Sequence, residues 1–133
     1  MTGVQTCALP ISLRLDSTQL LARVELAKSY VLNEPKNALQ VLDDAPKQQK
    51  QILAIILERN WALMGMQNTK EARTNLDGAL RLGRFPELVL QDGVLKLIEK
   101  DYDGARAAAN EVLSKHPEEV RAARLIEIGR AHV

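Results

Sequence analysis

Aromatic side chains are scarce in this 133-residue sequence, at 3%, so Leu and Ala carry most of its 46% hydrophobic content. Charge of one sign is also lacking. Eighteen Lys and Arg face seventeen Asp and Glu, for a net +1. That balance leaves no electrostatic footprint for nucleic acid or an acidic membrane surface. Long apolar runs are missing too: Gln51 to Leu57, the most apolar uncharged stretch between the two ends, falls far short of the roughly 20 residues that a membrane span requires. The glycines are scattered singly, which excludes a glycine-rich phosphate loop. What is abundant is Ala, Leu, Glu, Lys, Arg and Gln, the residues that favour helix.

The two ends read differently from the middle. Met1 to Ile11, MTGVQTCALPI, resembles the translation of a common short-read sequencing adapter with GTG as start codon. Ile128 to Val133, IGRAHV, resembles the opposite strand of the same adapter read up to its stop codon. Residues 1–11 and 127–133 are therefore expected to be scars and are set aside from fold reasoning, with Ser12 and Glu127 as junction codons. Neither end looks like a helix, a strand or a targeting signal. Cys7, the sole cysteine, and His132 go with them, leaving no thiol chemistry and His116 as the one histidine. The region 12–126 is expected to be a piece of a larger, bacterial protein, with cytoplasm and cell envelope both open as its location.

Helix start and stop signals divide that region. Asp16 or Ser17 is placed to cap a helix beginning near Thr18, whose apolar residues Leu20, Leu21, Val24, Ala27 and Val31 keep helical spacing. Pro35 suits the first position of a second helix, running to about Asp44. After Pro46 the spacing predicts a third helix from Lys47 to Met66. Asn68 with Glu71 forms a capping box for the fourth, ending near Leu82-Gly83, and Pro86 opens the fifth. Asp101 caps the sixth, through Leu113, and Pro117 opens the last, ending at Ile126. Turns of a few residues make neighbouring helices antiparallel.

The helices repeat. Ala38, Ala72 and Ala105 occupy equivalent places, 34 and then 33 residues apart, in the segments PKNALQVL, TKEARTNL and YDGARAAA. Small residues return seven positions on at Ala45 and Ala79, with Val112 in the third copy. Such small side chains let helix axes approach closely. A helix pair recurring at about 34 residues resembles the tetratricopeptide repeat. Gly93, twelve residues before Ala105, the run from Asp101 to Ala105, and Pro117 match that family best. Leu26-Ala27 and Tyr30 match it in the first repeat. The second departs from it, with Asn60 at the small first-helix position and Trp61 out of register. The resemblance implies an all-α, right-handed α-solenoid of antiparallel helix pairs, with repeats near 18–46, 47–84 and 86–116 and a partial one at 117–126. It also assigns Ala38, Ala45, Ala72, Ala79, Gly93 and Ala105 to packing between helices.

No catalytic constellation is present, so no enzyme activity, cofactor or metal is expected. His116 precedes Pro117 at a helix boundary and reads as a turn or cap residue. Glu118-Glu119 sits where a helix dipole favours negative charge, and Asp43-Asp44 reads as a solvated pair. Trp61 is the most informative residue, because large aromatics dominate binding hot spots and it lies on a first helix, the family's inner surface. Trp61, Met64 and Leu57 at helical spacing also fit a plain core stripe. Tyr30, Leu57, Trp61, Met64, Leu90 and Val94 form the candidate partner-binding set. The Lys, Arg and Asn carboxylate clamp of chaperone-binding family members is absent, since Leu57, Trp61, Leu90 and Val94 stand at its positions. The expected function is a protein–protein interaction scaffold holding a protein or peptide partner on its first-helix face, without nucleic acid and without a membrane span. The alternative is a regulatory repeat arm of an enzyme or transcription regulator. Cut repeat ends are expected to favour self-association.

Overall fold

A computed structural model describes the backbone of residues 8–131 and the side chains of residues 19–131. Among the described residues the secondary structure is entirely helical. The seven helices among the described residues fall into two compact units, one up to Gly65 and one from Met66 onward.

The first unit holds α1 (Ala8–Val31), α2 (Pro35–Asp43) and α3 (Leu53–Gly65), each packed against the other two. Its core is aliphatic: Val24 and Ala27 from α1, Ala38 and Leu42 from α2, Ile55 and Ala62 from α3. Full burial of a side chain such as Leu42 contributes about 2 kcal/mol. The small Ala27, Ala38 and Ala62, all fully buried, allow the close approach of three helices with so little aromatic volume to fill space. Arg23 ties α1 to the end of α2, its guanidinium donating to the Val41 carbonyl at 2.8 Å.

The second unit holds α4 (Thr69–Leu82), α5 (Pro86–Ile98), α6 (Tyr102–Lys115) and α7 (Val120–Ala131). Each helix packs on the next, and α5 also packs on α7. Val89, Leu90, Ala108, Ala109, Val112, Ala122 and Leu125 form the apolar cluster shared by α5, α6 and α7. Packing of chain neighbours in each unit is consistent with a helical repeat.

One turn occurs twice. After α3, Gln67 adopts a left-handed backbone with φ 62°, and after α5 Lys100 does the same with φ 66°. A capping residue follows each: the Asn68 side chain accepts from the Glu71 N–H at 3.3 Å, and Asp101 accepts from the Gly104 N–H at 3.0 Å. Around Lys100 the last carbonyls of α5 are taken up by a Schellman pattern, Asp101 N–H to Lys96 O at 2.8 Å and Lys100 N–H to Leu97 O at 3.0 Å. A buried alanine, Ala72 or Ala105, then sits four residues past the cap. Ala38 stands likewise four residues past Glu34, but there the side chain engages Asn37 and not the helix backbone, and Pro35 fills the first position.

Three helix boundaries differ from those expected. α1 is continuous from Ala8 through Asp16 and Ser17 to Val31, so no helix starts at Thr18, and Ala8 to Ile11 lies inside it. Pro10 falls in its first turn, where a missing N–H leaves no helix bond unmade. The third helix begins at Leu53 and not at Lys47. Residues 46–52 form successive turns, with Gln49 N–H on Pro46 O and Ile52 N–H on Gln49 O. The polar run from Lys47 to Gln51 has no apolar stripe to hold a helix against its neighbours. The last helix starts at Val120, after a turn closed by Glu119 N–H on His116 O, and continues through Ala131 with Gly129 buried. No described helix is long and apolar enough to cross a membrane.

Candidate interaction site

The candidate partner residues stand on α1 and α3 of the first unit and on α5 of the second. In the first unit, α3 bears two apolar stripes. Ile55 and Ala62 face the core shared with α1 and α2. Leu57, Trp61 and Met64 lie roughly on the opposite side, since an α-helix advances about 100° per residue. They differ in access: Met64 is 7% exposed, whereas Leu57 and Trp61 are half-buried. Tyr30, on α1, is half-buried and packs against the Val24–Leu42 cluster. Asn60, at the position where the repeat pattern has a small residue, is buried in α3.

In the second unit Leu90 is 1% exposed and belongs to the α5–α7 core, closed to any partner in this structure. Val94 is half-buried against the same cluster. Of the six candidate residues, Leu57 and Trp61 thus combine a shared stripe, accessible surface and a position away from their unit's core. The six small residues singled out for packing, Ala38, Ala45, Ala72, Ala79, Gly93 and Ala105, are all buried.

The most developed polar geometry lies elsewhere, among residues that no sequence motif joins. Arg73 on α4 donates to Asp92 at 2.7 Å, to Asp77 at 3.0 Å and to Glu99 at 2.9 Å. Burial disfavours its charged form, but the hydrogen bonds to Glu99, Asp92 and Asp77 outweigh that and push its pKa up. Asp92 is buried, and its second oxygen receives Lys96 at 3.2 Å. An open groove beside these groups is lined by Arg73, Asp77, Arg81, Lys96 and Glu99. Lys96 stands four residues from Asp92 on α5, the spacing of a helical ion pair, whereas Arg73 reaches Asp92 from another helix.

Two further ion-paired arginines brace this unit, Arg84 from the α4–α5 connection and Arg121 from α7. Arg84 grips Glu111 of α6 with two bonds, at 2.8 and 2.7 Å, which lower the Glu111 carboxyl. Arg121 of α7 reaches Glu87 and Glu119. Hydrogen bonds from the Arg121 side chain and backbone hold the Glu119 carboxyl low, so this residue serves the start of α7. His116 stands 3.6 Å from Glu118 at the surface. Asp43 and Asp44 are exposed but not merely solvated, since Asp43 accepts from Arg59 at 2.9 Å and Asp44 from Gln40 at 3.1 Å. Among the described residues no three His, Cys, Asp or Glu side chains converge to hold a metal ion.

No family model matches the chain, and neither curated proteins nor solved structures provide a match to it.

Proposed function

We propose that this chain is a protein–protein interaction module, a tetratricopeptide-like scaffold without catalytic activity of its own, that holds a protein or peptide segment against α3. The observation carrying this reading is the stripe of Leu57 and Trp61, apolar and half-buried on the side of α3 turned away from its unit's core. A large aromatic that is partly packed and partly accessible is pre-ordered for contact, so a partner gains burial with little loss of side-chain freedom. Neighbour-to-neighbour helix packing and the turn repeated at Gln67-Asn68 and Lys100-Asp101 support the repeat architecture, for which we infer the right-handed sense of the family.

Selection from a displayed peptide library on the immobilised chain tests it. Selected sequences should share apolar anchors and lose binding to Trp61→Ala and Leu57→Ala, while Lys47→Ala, in the polar turn before α3, retains it. A library that yields no binders, or binders indifferent to both α3 substitutions, contradicts the proposal.

A further inference from the structure

We propose that the turn from the end of α4 into α5, residues 81–85, is a second docking surface, one that takes an acidic protein segment carrying an apolar side chain. Two large apolar residues stand in the open there. Leu82 is 87% exposed and Phe85, the chain's one phenylalanine, 50%. Neither belongs to the apolar cluster of this unit. Phe85 is nonetheless held in place. Its carbonyl accepts from the Val89 N–H at 3.0 Å, and Pro86 confines its backbone to the extended conformation observed, φ −66° and ψ 142°. Its ring lies so close to Gly83 that a Cβ there would stand 2.8 Å from Cε2. An exposed aromatic fixed in this way loses little freedom when a partner covers it.

The cations decide the charge of the partner. Arg84 donates Nε and Nη2 to Glu111, which sets the guanidinium with Nη1 unengaged among the described residues. Arg81, in the last turn of α4, is exposed and forms no ion pair among the described residues. Lys115 lines the slot beside Arg84. The neighbouring carboxylates are already matched: Glu111 by Arg84, Glu87 by Arg121, Asp92 by Arg73 and Lys96. A partner carboxylate therefore meets Arg81 and the open edge of Arg84, whose planar donors suit it, while an apolar neighbour covers Leu82 and Phe85. Three cations and two apolar side chains give an anionic bilayer, which needs a broad basic patch, little hold. The surface lies wholly within the second unit and stands whether or not α3 holds a partner.

Displayed peptides selected on the whole wild-type chain, then counter-selected on the double variant Arg81→Gln/Leu82→Ser, test this. A class that binds the wild type and not the variant should emerge, rich in Asp and Glu beside Leu, Ile or Phe. Synthetic members should bind at least about tenfold more weakly to Phe85→Ala, and likewise when NaCl is raised to about 0.5 M. Their binding to Trp61→Ala should be unchanged, which separates this result from the fate of the α3 site. The absence of such a class, or a class without acidic residues, overturns the proposal. So does binding that neither Phe85→Ala nor salt weakens, or that depends on Trp61. Cosedimentation of the wild type, and not of the double variant, with vesicles of about one-third phosphatidylserine also overturns it, by assigning the patch to lipid. Both substituted side chains are exposed, and helical circular dichroism verifies that the variant stays folded. Should it unfold, Leu82→Ser alone takes its place.

Discussion

A Cβ placed on Gly93 would stand 2.9 Å from Cδ1 of Leu125 and 3.4 Å from the Ala108 Cβ, so α5 meets α6 and α7 where a hydrogen atom fits and a methyl crowds. Leu125 is itself buried, at 5% exposure, and has little room to retreat.

Two opposed effects decide what a substitution there does. Replacing a helical glycine by alanine gains about 1 kcal/mol of helix propensity. Overpacking a tight core costs about 1–3 kcal/mol. Gly93→Ala is therefore expected to be near neutral or mildly destabilising, and Gly93→Leu to lose more than about 3 kcal/mol. Urea unfolding of both variants and of Gly93→Ala with Leu125→Ala measures it. The double variant should show a favourable coupling, because removing the Leu125 methyls frees the space that the new Cβ needs. Strict additivity would mean that the contact is not tight.

The repeated turn makes its own prediction. Lys100 and Gln67 hold left-handed backbones that a side chain disfavours by about 1 kcal/mol. Lys100→Gly and Gln67→Gly should each raise stability by roughly 0.5–1 kcal/mol, a gain that thermal melts resolve. Asn68→Ala and Asp101→Ala should each lower it by about 1 kcal/mol through loss of the cap. Glu34→Ala should change little, since its side chain caps no backbone N–H.

Acid sensitivity should concentrate in the second unit. Glu111 and Glu119 have folded carboxyl values below the ordinary 4.5, through hydrogen bonds to Arg84 and Arg121 respectively. The stabilisation they bring is fully present above the unfolded value and is lost as pH falls through the lowered folded ones. Carboxyl NMR titration should place both below the ordinary glutamate value. Glu111→Gln should flatten the fall in melting temperature between about pH 5 and pH 3. An unchanged slope would show that the Arg84 pair does not couple to folding.

Much of the fold could be read from residue order alone. Pro35 and Pro86 stand at first helical positions, Asn68 and Asp101 act as caps, and the helices between them form because strong helix formers fill the intervals. Local chemistry decides each of these, so local sequence suffices. The start of α3 was not legible in the same way. Lys47 to Gln51 is compatible with helix by propensity, and only the want of an apolar face to anchor it leaves it as turns. The candidate site was legible in part. Helical spacing reveals that α3 has an apolar stripe at Leu57, Trp61 and Met64, but periodicity does not say that Met64 is closed while Trp61 keeps access. Leu90, which occupies a similar place in α5, belongs to the core. The Arg73 network was invisible because Asp92 on α5 and Glu99 at that helix's C-cap stand 19 and 26 residues away, and charge composition names no partners.

Trp61 is the sole tryptophan, so its emission reports the proposed partner face without interference. The decisive measurement is a fluorescence titration of the whole chain with a library-selected peptide. The account predicts a saturable blue shift, reduced acrylamide quenching at saturation, and loss of peptide binding by calorimetry in a Trp61→Ala variant that keeps its helical circular dichroism. Tight binding with unchanged Trp61 emission and full affinity in the folded Trp61→Ala variant would contradict it, placing recognition on another face.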